Sequence, residues 1–145
     1  MNSLLLLGLM VCSGVAVALQ PSINGRLAQK TGVLESSCIS FTVGALALFL
    51  LALLMGRGSF RGLGDASWWE LTGGFLGAFF VTLTIIVVPR LGAAAAMAAV
   101  IASQLITGLI LDHFGFLGFR HITFDTKRGI GVALLLLGAG LIFRR

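Results

Sequence analysis

Apolar residues in this chain fall in long unbroken runs separated by short polar joints, without the three-to-four-residue alternation of a water-facing helix. The runs predict five helical spans. The first covers residues 4–27, with an interruption after Leu19, and the next three cover 36–55, 71–88 and 92–111. The fifth, 129–143, is the shortest, and at 1.5 Å rise per residue it covers about 22 Å of a hydrocarbon core about 30 Å thick. Lys127, Arg128, Arg144 and Arg145 bracket this segment, so they are expected to snorkel to the two surfaces. Backbone groups in lipid need partners within their own segment, and the runs lack the period-two alternation of a barrel strand. The expected fold class is therefore all-α integral membrane, with residues 1–145 forming one membrane domain.

Composition strengthens that reading. Hydrophobic residues make up 58% of the 145 residues and charged residues 10%, far below the roughly 25% of a soluble domain. The mean hydropathy is +1.08. A chain of this kind has too little polar surface to face water, and its solvent is the bilayer. The opening run resembles a signal-peptide core with Ala16-Val17-Ala18 as a cleavage site, but Met1-Asn2-Ser3 lacks the positive leading region. The pI near 10.7 comes from basic residues scattered at span ends. They form no stripe for nucleic acid and are placed to meet anionic lipid head groups.

Orientation follows the Lys and Arg residues of short loops. With five spans, Arg57, Arg61, Arg120, Lys127 and Arg128 fall on one side, and Arg26, Lys30, Arg90, Arg144 and Arg145 on the other. Five face five, so neither orientation is favoured and copies are expected to insert both ways up. If the fifth segment fails to span, the tally becomes seven to three and that expectation falls.

The polar residues inside the spans are few. Ser13, Gln20 and Asn24 lie at i, i+7 and i+11 on one helical face, and Pro21 removes a backbone donor beside them. One reading is a bent first helix lining a wet cavity. The other ends the span near Leu19, with residues 20–30 as an interfacial turn and a short amphipathic helix. Ser36, Ser40 and Gly44 form a row at steps of four, as do Ala95, Ala99, Ser103 and Thr107. Gly73, Gly74 and Gly77 open the third span, and small residues so spaced let helices approach closely. Gln104, Gly108 and Asp112 form another row, where Gln104 either bonds a second helix or touches a solute. Glu35, Glu70 and Asp112 sit at span edges, and Asp112 is the best-placed carboxylate for ion coupling. Trp68 and Trp69 fit interfacial anchors.

No catalytic set can be assembled. Cys12 and Cys38 lie within spans and read as packing thiols. His113 and His121 share a loop and read as solvated side chains, so no metal and no cofactor are expected.

Taken together, "QPSINGRL", "SFTVG" from Ser40 to Gly44, the "WW…GGFLGA" opening of the third span, "RLGAAAA" and "DHFG" resemble the YdcZ-type short members of the drug/metabolite transporter superfamily. The resemblance runs along nearly the whole chain. It implies a five-helix unit forming one half of a ten-helix inverted-repeat transporter, found as dual-topology single chains, as pairs and as fused halves. Gln20, Asn24, Ser40, Gly44, Gly73, Gly74, Gly77, Gln104 and Asp112 fall in the matching motifs. The small multidrug resistance proteins, four-span relatives, carry an essential first-helix carboxylate, which is absent here. Dual-topology fluoride channels share a Gly-Gly-x-x-Gly-Ala element, but they usually follow it with Arg and have four spans, whereas Phe79 and Phe80 follow here.

Five helices are too few to enclose an alternating-access pathway alone. The expected function is a small-solute transporter working as an antiparallel homodimer, or with a homologous half. Gln20, Asn24, Ser40 and Gln104 would touch solute, and Gly44, Gly73, Gly74, Gly77, Ala99 and Ser103 would pack helices. A small ion channel and a non-transporting membrane subunit are the alternatives.

Overall fold

A single glycine separates the first helix from the second, and another separates the third from the fourth. The computed structural model describes residues 2–118 and 121–143. Its long helices are α1 (Ser3–Thr31), α2 (Val33–Met55), α3 (Thr72–Leu91), α4 (Ala93–Phe114) and α5 (Thr126–Phe143). All five are long and apolar enough to cross a membrane. Arg120, Arg144 and Arg145, which enter the charge tally, lie outside the described residues.

The joints explain why the helices stop where they do. Gly32 has φ 100° and ψ 160°, and Gly92 has φ 84° and ψ 151°. This region is open essentially to glycine alone. The Gly32 N–H still donates to the Ala28 carbonyl at 2.9 Å, so α1 closes its last turn before the chain reverses. The prolines do not end their helices. Pro21 is buried inside α1, and Pro89 lies in the last turn of α3. Of the two sequence readings of residues 20–30, the structure overturns the second, an end at Leu19 followed by an interfacial turn, because the helix continues unbroken past Pro21. α1 runs on through Arg26 and Lys30 to 29 residues, about 43 Å at helical rise. Its N-terminus is capped by Asn2, whose side chain accepts from the Leu4 N–H at 3.3 Å.

The fifth helix is also longer than the sequence suggested. It has 18 residues, about 27 Å, which brings it close to the thickness of the hydrocarbon core. Asp125 sets its start by accepting from the Arg128 N–H at 2.8 Å, a cap that satisfies one orphan donor. Between α2 and α3 the chain makes two 3-10 turns, Phe60–Asp65 and Trp68–Leu71. In the second, Glu70 Oε2 accepts from the Ser67 N–H at 2.6 Å, and Trp68 and Trp69 stand exposed at the entry to α3. α4 ends on Gly115 in the left-handed conformation.

The chain divides into two compact units, Met1–Arg90 and Leu91–Arg145. In the first, α1 and α2 pack as a hairpin whose buried residues lie near the Gly32 joint: Pro21 and Asn24 on α1, Ser36 and Ser37 on α2. α3 adds the buried stripe Val81, Ile85 and Val88 at helical spacing, with Thr84 on the same side. Away from the joint the hairpin is uncovered, and every residue of 2–19 and 41–55 is exposed. In the second unit, α4 and α5 pack against each other, and the backbone N–H of Ile122 donates to the Asp112 carbonyl at 2.8 Å.

Candidate functional site

Polar side chains gather in each unit in a different way. In the first they form a clasp between helices. Ser36 and Ser40 share a face of α2, one turn apart, and both meet Asn24 of α1. The Ser36 hydroxyl donates to the Asn24 backbone carbonyl at 2.8 Å, and Asn24 Nδ2 donates to Ser40 Oγ at 3.1 Å. Ser36 is 0% exposed and Asn24 5%. The clasp extends to α3. Ser37 donates to its own Val33 carbonyl at 3.0 Å and lies 3.0 Å from Thr82 Oγ1. Thr82 has one proton to share between Ser37 and its own Ala78 carbonyl, 2.8 Å away. Asn24 lies eight residues before the Gly32 joint, about 12 Å along the helix. At that depth an unpaired amide would be costly, and pairing across the hairpin removes the cost.

The residues expected to touch solute are thus placed in two groups. Asn24 and Ser40 bond to each other. Gln20, one turn earlier on α1, is half-buried and has no side-chain hydrogen bond among the described residues. Gln104 belongs to the second unit and also has no side-chain partner there. Nothing in the sequence flagged Ser37 or Thr82. Ser36 stood out only as a small residue in a packing row, and its donor role needed the position of the opposing α1 carbonyl.

The second unit holds an open groove of about 370 Å³ between α4 and α5. Gln104, Gly108 and Asp112 line it at i, i+4 and i+8 from α4, and Arg128, Gly131 and Leu135 line it from α5. A side chain added at Gly108 or Gly131 would meet no atom within 4 Å, so both glycines leave the groove open. At one end, Arg128 Nη1 donates to Asp112 Oδ2 at 3.1 Å. Arg128 was expected to snorkel to the surface. It instead pairs across the helix hairpin, because α5 begins at Thr126 and the guanidinium stands beside the last turn of α4. Opposite charges at the facing ends of consecutive antiparallel spans were the sequence signal for this pair.

The small-residue rows divide sharply. A side chain at Gly77 would press against the Phe41 ring, with its Cβ 3.2 Å from Cζ, so α3 seats an α2 aromatic there. At Gly44, Gly73 and Gly74 it would meet nothing within 4 Å. Ala99 and Ser103 are exposed, and Ser103 donates to its own Val100 carbonyl at 2.9 Å. Cys12 and Cys38 are free and exposed. His113 Nδ1 accepts from the Phe124 N–H at 3.2 Å, its ring centroid 6.4 Å from that of His121. No group of three His, Cys, Asp or Glu side chains among the described residues could hold a metal ion.

Comparison with known proteins places this arrangement in context. Residues 5–141 match the profile of the family described as "Putative inner membrane exporter, YdcZ", which carries the drug/metabolite transporter label. The chain is 32% identical over 151 residues to the "Inner membrane protein YdcZ" of Escherichia coli (strain K12), covering 100% of this chain and 99% of that protein. No solved structure matches it.

Proposed function

Because this chain belongs to the YdcZ family of multi-pass inner-membrane transporters, we propose that it exports a small organic solute as an antiparallel dual-topology homodimer working by alternating access. Each chain supplies one half of an inverted repeat, and a copy seated upside down supplies the other. It acts as a carrier and not as an enzyme.

The observation that carries the reading is the amount of helix the single chain leaves without a partner. Residues 3–19 of α1 and 41–55 of α2 are exposed throughout, and Gly44, Gly73 and Gly74 open onto empty space. Lipid can cover apolar side chains. Glycine rows, however, gain their packing from another helix. A twofold partner uses the same surface twice, as an isologous interface requires. The balanced tally of basic residues allows such a partner to be a second copy of this chain.

In this mechanism Gln20, Asn24, Ser40 and Gln104 contact solute. The Asn24–Ser40 bond is the resting state, and its donor and acceptor exchange each other for solute as the halves rock. The glycine rows are the sliding contacts, and Asp112 is the carboxylate placed to couple an ion. Reconstituted protein should show saturable, exchange-type uptake. Gln20→Ala and Gln104→Ala should each lower transport while dimers persist, and unchanged kinetics in both would count against the site. Ion flux far above about 10³ per second, the upper end of typical turnover, would make the protein a channel. Absence of flux for every solute, with an unrelated protein co-purifying, would make it a subunit.

A further inference from the structure

We infer that the α4–α5 groove is a binding site for lipophilic monocations, which displace Arg128 from Asp112. The inference rests on the transporter reading for its purpose, but not for its chemistry. The groove, about 370 Å³, lies within the roughly 300–1,000 Å³ of small-molecule pockets. Its walls are aliphatic, its floor is opened by Gly108 and Gly131, and its charge is confined to one end. An apolar body lying along α4 from Gln104 to Asp112 would span eight residues, about 12 Å.

The sign of the ligand follows from an asymmetry in the ion pair. Asp112 sits near the C-terminal, partly negative end of α4, and Arg128 is the third residue of α5, near its partly positive end. Neither charge is complemented by its own helix dipole, so each depends on the other. The two side chains are about equally exposed, 33% for Arg128 and 31% for Asp112, so the asymmetry lies in reach: Asp112 is short and fixed to the last turn of α4, whereas Arg128 has a long flexible stem at the start of α5. It can swing into the head-group layer at little cost. An entering cation therefore takes over the carboxylate and frees the residue that can afford to leave. An entering anion would bind Arg128 with the Asp112 carboxylate only 3.1 Å from the guanidinium, and would strand that carboxylate. The other carboxylates of the chain offer no such place. Glu70 and Asp125 are occupied as backbone acceptors, and Glu35 and Asp65 line none of the grooves of this unit.

The test is equilibrium dialysis of the full-length protein in neutral detergent against tetraphenylphosphonium and tetraphenylborate, ions of matching shape and opposite charge, with empty micelles subtracted. The phosphonium should bind and the borate should not. Asp112→Asn should weaken phosphonium binding at least about tenfold, the loss expected when a charged contact is removed. Arg128→Gln should tighten it, because the competing guanidinium is gone. Gly108→Leu and Gly131→Leu fill the groove without touching the pair and should each abolish binding, with elution of an intact particle showing that the variants fold. A purely structural ion pair would lower thermal stability in Asp112→Asn and Arg128→Gln alike and leave dialysis unchanged, and that result would overturn the inference. So would borate binding as tight as phosphonium binding, or weaker phosphonium binding in Arg128→Gln. Because binding is read without flux, phosphonium binding with no transport of any solute would remove the transporter reading and leave this site standing. Saturable transport by a protein that binds no phosphonium in dialysis would do the reverse.

Discussion

The clasp between α1 and α2 makes a prediction that separates two hydrogen bonds at one residue. Asn24 receives Ser36 on its backbone carbonyl and gives its side-chain amide to Ser40. Replacing Asn24 by Ala deletes the second bond and keeps the first, because alanine retains the carbonyl. The Asn24→Ala and Ser40→Ala changes should therefore be coupled, while Asn24→Ala and Ser36→Ala should be nearly additive. Side-chain hydrogen bonds between membrane helices average about 0.6 kcal/mol and reach about 1.7. The 5% exposure of Asn24 places its coupling with Ser40 toward the upper end of that range. Ser36→Ala alone should cost about 1 kcal/mol, since the carbonyl it leaves belongs to a helix and the loss is one donor. The assay is a pair of double-mutant cycles on unfolding in mixed micelles, where independent sites add to within about 0.3–0.5 kcal/mol. Coupling of Asn24 with Ser36 as large as that with Ser40, or no coupling in either cycle, would refute the geometry of the clasp.

Other positions give equally direct outcomes. Gly32→Ala and Gly92→Ala force alanine into a backbone region it rarely enters, and each should cost about 1–3 kcal/mol in thermal unfolding; at Gly32 the new Cβ would also crowd the Glu35 carboxylate. Gly77→Leu should destabilise the chain and Phe41→Ala should partly restore it, since the ring occupies the space the leucine needs. Gly44→Leu and Gly73→Leu, where an added side chain meets nothing within 4 Å, should leave unfolding of the single chain unaffected and, on the proposed antiparallel dimer, reduce inter-chain cross-linking. Asp125→Ala should cost about 1 kcal/mol and speed hydrogen exchange in the first turn of α5, where the cap to the Arg128 N–H is lost.

The five helices were legible because lipid demands about 20 apolar residues per crossing, and the runs of this chain supply them without competing patterns. Their ends were less legible. Arg26 and Lys30 look like exits from the membrane, yet helical hydrogen bonding continues through them until Gly32 provides a conformation that a helix lacks. Pro21 looks like a break, but proline deletes one donor, and the helix runs on past it buried against its neighbours. Composition points to Asn24, Gln20 and Gln104 as rare intramembrane amides. It does not say which of them is already satisfied, because that depends on which α2 face meets α1. Asp112 was visible as an edge carboxylate, while its pairing with Arg128 depended on three extra residues at the start of α5.

The claim on which the transport mechanism turns is that this chain has no preferred way up. Two C-terminal fusions to the unaltered sequence test it, one to a reporter active only in the cytoplasm and one to a reporter active only in the periplasm. Comparable activity from both fusions is the expected result. Activity from one fusion alone would mean that every copy sits the same way, and the antiparallel dimer would have to be abandoned.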